Sequence, residues 1–245
     1  MKKSRGTSFD RTVYYHKEAQ AKYMSTVSSM LNDLHLGVLK PTLFHKSLEK
    51  LARGGQMLQH YTQNIDCIEQ LLPDLEAKTT RLHGQVDQMR CSTCSTVFKV
   101  QARSFDAKFV QDCSRCVESS QLQVSKGRRT PRVGKLWPNI ALKDDPHPDD
   151  TKVCQAYNND RMILPDLVLV VGTRLTAEGT RSFVRDYHQA TRSNSGLMVW
   201  VNTQKPTANI QRFFDHMLQS DCDALTWSSV CVYYLSNFIF KAHIF

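Results

Sequence analysis

The sequence predicts an α/β protein: a parallel sheet with helices on its faces, interrupted by a small inserted metal-binding module. Three observations carry this. Two continuous apolar runs, Leu167–Val171 and Leu197–Val201, have the composition of strands buried on both faces, as parallel strands are. Between them a helical pattern places Phe183, Val184, Tyr187 and Ala190 on one side, the crossover that a βαβ unit requires. And residues 90–133, poor in long apolar runs and rich in Ser, Lys, Arg and Gln, hold two tight Cys-x-x-Cys pairs.

Taken in order, the chain first offers a helix within residues 13–36. Val13, Met24, Val27, Leu31 and Leu34 lie roughly on one face, and Gly37 is its stop. "KPTLFHKSLEKLARGG" is a second helix, with Pro41 near its start and Gly54-Gly55 at its end. "MLQHYTQNID" is a short strand ending in polar residues. "PDLVLVVGT" ends in Gly172-Thr173, and "GLMVWVNTQ" in Asn202. Ligands of open α/β sheets bind outside the carboxyl ends of the strands, so these three ends define one functional edge.

In the insertion, Cys91, Cys94, Cys113 and Cys116 give two knuckles that together satisfy tetrahedral zinc. Four sulfur ligands close the shell, which makes the expected metal structural. Cys67, Cys154, Cys222 and Cys231 have no ligand spacing and read as single thiols. His83, followed by Gly84, lies upstream of the module and just past the polar end of a strand. The closed shell leaves it no place as a ligand, so it is either a structural residue or a base.

Composition narrows the function classes. The chain has 32 Lys and Arg against 23 Asp and Glu, a net charge of +9, which favours an anionic partner: nucleic acid, a phosphate-bearing cofactor or a chromatin surface. The densest basic run, "SKGRRTPR" (125–132), reads as a solvated loop. Cysteine pairs without a secretory signal in "MKKSRGTSFD" point to metal in a reducing compartment rather than to a disulfide scaffold. The apolar end, "VCVYYLSNFIFKAHIF", has no uncharged run of the roughly 20 residues a membrane span needs. It is read as a terminal strand, a partner-binding tail or a faulty gene-model end, the last preferred.

"YTQNID" (61–66), "LHG" (82–84), the two Cys-x-x-Cys pairs, "GKLWPNIAL" (134–142) and "VVGT" (170–173), in this order and spacing, resemble the sirtuins, the NAD-dependent protein-lysine deacylases. "KPTLFHKSLEKL", "VNTQKP" and "SDCDAL" resemble further segments of that family, over roughly residues 5–228. "RGTSFD", "KPT" and "GKLWPNI" are most similar to its fungal nuclear branch, which acts on histone acetyl-lysine. The resemblance implies a Rossmann-like parallel sheet, with NAD and a structural zinc. Its parts fall at residues 1–89, with the zinc module at 90–133, the rest of the sheet at 134–229 and an apolar tail at 230–245. It also implies roles. Gln63, Asn64 and Asp66 match the motif that holds the nicotinamide ribose, and His83 matches the general base. Gly172 and Thr173 match the turn approaching the cofactor, Asn202 the adenosine-ribose contact and Cys222 the residue beside adenine. Ile140 falls in the segment that pairs with substrate backbone as an added strand.

In the family mechanism the acetyl oxygen attacks the ribose anomeric carbon and nicotinamide leaves. The histidine then helps deprotonate a ribose hydroxyl, and the products are free lysine and O-acetyl-ADP-ribose. The implied partners are an acetyl-lysine protein, histone foremost, and chromatin, with no membrane and no specific nucleic-acid site identified in the sequence; the implied compartment is the nucleus, otherwise the cytoplasm. Taken singly, the same residues keep a plainer reading: Asn64 and Asp66 as turn formers, Gly172 as a strand end, Asn202 as part of a turn.

The sequence also departs from that pattern. The first strand and its Gly-rich phosphate turn have no counterpart in residues 1–60, so exposed sheet edges and an N-terminally incomplete gene model are expected. Arg174 stands where the family has Ser, Trp137 where it has Arg, and "LKDD" (142–145) replaces an aromatic-Gly-Glu stretch. The leading expectation is a sirtuin-type deacetylase. The alternatives are a catalytically inactive chromatin or protein-interaction module and a zinc-ribbon nucleic-acid binder.

Overall fold

The computed structural model describes residues 9–100, 110–143, 145, 149–225 and 242–244. After a 3-10 turn at Arg11–Tyr14 come α1 (Lys17–His35), α2 (Leu43–Arg53), β1 (Met57–Thr62), a second 3-10 turn (Ile68–Leu71), α3 (Pro73–Glu76) and β2 (Thr79–Arg81). Then follow β3 (Gly84–Cys91), β4 (Val97–Lys99), α4 (Ser114–Ser125) and β5 (Leu136–Ile140). The chain continues through α5 (Asp150–Arg161), β6 (Leu167–Val171), α6 (Glu178–Ser193) and β7 (Leu197–Asn202), and ends with α7 (Ala208–Gln211), β8 (His216–Gln219), α8 (Cys222–Leu225) and β9 (Ala242–Ile244). These elements form two units. One takes Met1–Leu39, Asn64–Cys67 and His83–Asp150; the other takes Lys40–Gln63, Ile68–Leu82 and Thr151–Phe245.

The second unit holds the parallel sheet, in the order β2-β1-β9-β6-β7-β8. β6 shows why its sequence is apolar at every position. Leu167 and Leu169 enter a core with Leu48, Leu51 and Ala52 of α2, Leu75 of α3 and Val199 and Val201 of β7. Val168 and Val170 enter another with Val184 and Tyr187 of α6 and Met198 and Trp200 of β7. Alternate side chains of one strand thus fill two cores, and the partner strand alternates in register, Leu167 opposite Leu197 through Val171 opposite Val201. In β1 the register shifts between Met57 and Gln59, and Met57 and Tyr61, four residues apart, enter different cores.

Exposed edges are the expectation for a sheet short of its first strand. Instead β1 and β6 both pair in parallel with β9, which comes from the apolar tail: His60 is opposite Ile244, and so is Leu169. Of the three readings of that tail, residues 242–244 take the terminal strand; residues 226–241 and 245 lie outside the described residues, as does most of "RGTSFD".

α2 shows how local signals fix an element of this unit. Thr42 and His45 form a reciprocal capping box, and Asp223 accepts a hydrogen bond from the Phe44 N–H at 2.8 Å, which holds the Asp223 carboxyl below its usual range. Glu49, buried on the same helix, accepts from the Leu75 N–H at 2.6 Å and so caps α3.

In the first unit, β4-β3-β5 form an antiparallel sheet. Tyr23, Met24, Val27 and Leu34 of α1 pack with Val86, Met89, Ile140 and Leu142. The buried Asn139 is fully engaged: its Oδ1 accepts from Arg90 Nε at 2.8 Å, and its Nδ2 donates to Gln88 and Asp149. That satisfies an amide which would otherwise be costly to bury.

His60 is buried in β1 of the second unit, its Nδ1 3.0 Å from Thr79 Oγ1. Burial, aided by the charges of His45 and Arg81, depresses its imidazole from 6.5 to about 3. The unfolded chain therefore takes up a proton that the native state refuses. Stability from this group is complete above about pH 6.5 and falls as pH drops toward 3, by about 1.4 kcal/mol per pH unit. Between about pH 6.5 and about pH 5, His60→Gln is expected to lose about 2 kcal/mol less than the parent chain in urea titrations.

Candidate active site and metal centre

Cys91 closes β3, Cys94 lies in the turn behind it, Cys113 caps α4 and Cys116 stands in that helix's first turn. The four sulfurs lie within 4.8 Å of one another; Cys91 and Cys116 are 3.6 Å apart, Cys94 and Cys113 3.7 Å. Four sulfurs at about 2.3 Å from one zinc would stand about 3.8 Å apart, so the donor set fits the metal. The surroundings favour thiolates. The N–H groups of Thr93 and Cys94 point at Cys91 Sγ, at 3.3 and 3.4 Å, and the N-terminus of α4 lies beside Cys113 and Cys116. Hydrogen bonding to Thr96 brings the Cys94 thiol down to about 6, whereas burial pushes Cys113 up to about 12. A divalent cation resolves that conflict by letting the buried sulfur ionise. Phe98, Val133 and Leu136 are the apolar packing around the cluster, so the metal substitutes for a core.

His83 is half-buried in the same unit as the cysteines, at the entry to β3. Its carbonyl accepts from the Ala141 N–H at 2.9 Å, and Gly84 pairs with Ile140. Gly84 has φ +79°, and a Cβ there would stand 2.0 Å from the Asn139 carbonyl oxygen. The glycine of the His-Gly pair is thus required by the approach of β3 to β5, which in turn fixes the backbone of His83. Asn64 is exposed and Asp66 half-buried in the segment laid on β3, where the Ile65 carbonyl accepts from the Val86 N–H at 2.9 Å. Cys67, φ +63° and fully buried, fixes the end of that segment by its 3.6 Å contact with Asp87. The sequence marked Cys67 only as a single thiol, because a cysteine carries no signal for positive φ. Ile140 buries its side chain in the core of this unit, and its strand, β5, lies at the edge of the sheet. The described part of "LKDD" excludes Asp144.

The second unit gathers Gln63, Gly172, Thr173, Asn202 and Cys222 at the carboxyl ends of β1, β6 and β7 and the start of α8. Thr173 is the hub. Its Oγ1 accepts from Gln63 Nε2 at 2.9 Å and from the Leu175 N–H at 3.1 Å, which leaves its own O–H to donate elsewhere. Its carbonyl accepts from Asn202 Nδ2 at 2.8 Å. Gly172, φ +66°, exposes its backbone, and a Cβ added there would sit 3.7 Å from Cys222 Sγ. Burial first, and then Asp221 and Asp223, raise the Cys222 thiol, which makes it a neutral wall rather than a nucleophile. Leu175 is buried with φ +47°, a strained conformation for leucine that its packing in the α6 core holds. Between these pinned residues Arg174 is exposed and forms no ion pair among the described residues. Uncharged donors, an open glycine backbone and one unpaired cation suit the hydroxyls and phosphates of a dinucleotide. The chain passes from this unit to the other between Gln63 and Asn64, and again between Leu82 and His83.

The purified chain is expected to carry one zinc. Cys91→Ser should abolish it and lower the melting temperature sharply, because structural zinc in small modules is worth on the order of 10 kcal/mol of apparent stability. Cys154→Ser, at an exposed thiol far from any ligand spacing, should keep both; metal analysis beside a thermal melt reads the difference.

A model of the Sir2 family matches residues 4–179. An NAD-dependent protein deacetylase, hst4, of Emericella nidulans is 29% identical over 91% of this chain and 39% of its own length. The NAD-dependent histone deacetylase HST4 of Saccharomyces cerevisiae is 30% identical over 76% of this chain and 56% of its own. The chain thus spans well under two thirds of the curated relatives it matches. A mutant Sir2 homologue solved in complex with ADP-ribose has the same fold, with a TM-score of 0.65 and 16% identity over 96% of this chain and 83% of that one. With a family match over most of the chain, and with the four-cysteine cluster and the strand-end residues in their expected order, the chain belongs to the Sir2 family.

Proposed function

We propose that this chain is an NAD-dependent protein-lysine deacetylase of sirtuin type, acting on acetyl-lysine of histones in the nucleus and so associated with chromatin. The observation that carries the reading is the Gln63–Thr173–Asn202 clamp, which locks the carboxyl ends of three strands of one parallel sheet into a single polar rim. Membership of the Sir2 family supports it, as do the relatives named as NAD-dependent deacetylases, one of them a histone deacetylase.

NAD, when bound, supplies the ADP-ribosyl group that accepts the acetyl. The roles of the chain's own residues are holding and proton transfer. Thr173 offers its hydroxyl, Asn202 fixes the Thr173 carbonyl, and Gly172 opens the backbone to close approach. Asn64 and Asp66 hold the nicotinamide ribose. His83 accepts the proton from a ribose hydroxyl at its imidazole, a task suited to a group whose ordinary pKa lies near neutrality. Arg174, in place of the family's serine, supplies an exposed cation for the dinucleotide's phosphates. The zinc contributes structure alone.

Mass spectrometry of an acetylated histone peptide, with and without NAD, tests this on the zinc-loaded chain. His83→Ala should lower the NAD-dependent rate at least about 100-fold with zinc content and melting temperature unchanged. NAD-independent loss of acetyl, or no loss from the folded parent chain, would sink the reading and leave an inactive interaction module. Arg174→Ser should raise KM for NAD about tenfold with kcat preserved, the value of one charge-assisted hydrogen bond to a phosphate.

A further inference from the structure

We propose that residues 126–132, the loop between α4 and β5 in the zinc-bearing unit, form a docking surface for the phosphate backbone of duplex DNA. Lys126, Arg128, Arg129 and Arg132 put four cations into seven residues with no carboxylate among them. All four are exposed, and none forms an ion pair among the described residues. Four other basic residues of the same unit are paired with carboxylates: Arg90 with Asp149, Lys99 with Asp87, Lys135 with Asp112 and Arg11 with Asp145. The α4 carboxyl terminus adds only about half a negative charge, far less than the four cations beside it.

One end of the loop is fastened to the C-terminus of α4, the helix that carries Cys116, and the other to the metal centre itself. At the α4 end the chain reverses through Gly127, φ +63°, with the Arg128 N–H donating to the Gln123 carbonyl at 2.9 Å. At the β5 end the Gly134 carbonyl accepts from the Cys113 N–H at 2.8 Å, and a Cβ on Gly134 would stand 2.4 Å from Cys91 Sγ. The cations are therefore presented on a tethered loop rather than on a free arm. Duplex rather than single-stranded nucleic acid fits best, because residues 126–134 contain no aromatic side chain on which an unpaired base would stack. Contacts to the phosphate backbone carry no sequence information, so binding is expected to follow charge, not sequence.

The test is fluorescence anisotropy of a mixed-sequence duplex with the zinc-loaded full chain, titrated between about 50 and about 200 mM salt. Four neutralised phosphates give a slope of about −3.6 in log K against log salt, so affinity should fall about 100-fold across that range. The quadruple variant Lys126→Gln, Arg128→Gln, Arg129→Gln, Arg132→Gln should flatten the slope while zinc content, melting temperature and peptide deacetylation stay at parental values. The proposal is independent of the deacetylase reading, since DNA affinity is scored without NAD. A control variant, Lys17→Gln, Lys22→Gln, Lys46→Gln, Lys50→Gln, removes four exposed cations elsewhere and should leave the slope in place. Equal loss in both variants would overturn the proposal in favour of diffuse charge. Tighter binding of an acidic peptide than of DNA at the same salt would overturn it in favour of a protein partner.

Discussion

A strand whose two faces are both buried can present polar groups to solvent only at its ends, and β6 imposes that constraint on the whole parallel unit. Leu167 to Val171 feed two cores alternately, so no side chain of the strand is spare for chemistry. The polar residues begin where the strand stops, at Gly172 and Thr173. Because β1 and β7 run in the same direction, Gln63 and Asn202 arrive at the same edge, and one threonine can bond to both. The rim is a consequence of parallel pairing as much as of its residues.

The zinc-bearing unit solves a different problem. Around its cysteines it has little apolar material, Phe98, Val133 and Leu136, and the cluster takes the place of a core. A closed four-sulfur shell does no chemistry on a substrate, but it fixes the ends of the segments that leave it. Gly134 is held against Cys91, and the antiparallel sheet that continues from Cys91 carries Gly84 and the backbone of His83. Metal, sheet and histidine are linked through one strand, β3.

The element types were legible because each rests on a short-range rule. The continuous apolar runs located β6 and β7 almost to the residue. Proline and paired glycines bounded α2, while the capping box of Thr42 and His45 took an atypical residue at its third position and did not stand out. The cysteine spacing announced a metal cluster that the geometry reproduces. Positions whose role comes from distant partners were not legible. Nothing in "IDC" signals that Cys67 must take positive φ against Asp87, and nothing in the tail signals that Ala242–Ile244 pair between β1 and β6.

The sequence by itself determined the α/β class, the metal donors, the order of the strand-end residues and membership of the family, since these depend on residue type, periodicity and spacing along the chain. Only the tertiary structure decided that Thr173 is the hub of the rim, that Gly84 is demanded by the Asn139 carbonyl and that the centre of the sheet is filled from the far end of the chain. The physical reason is range: periodicity and turn chemistry act over a few residues, whereas these contacts join residues 29 to 110 positions apart or more, through hydrogen bonds and close backbone approach that no local pattern encodes.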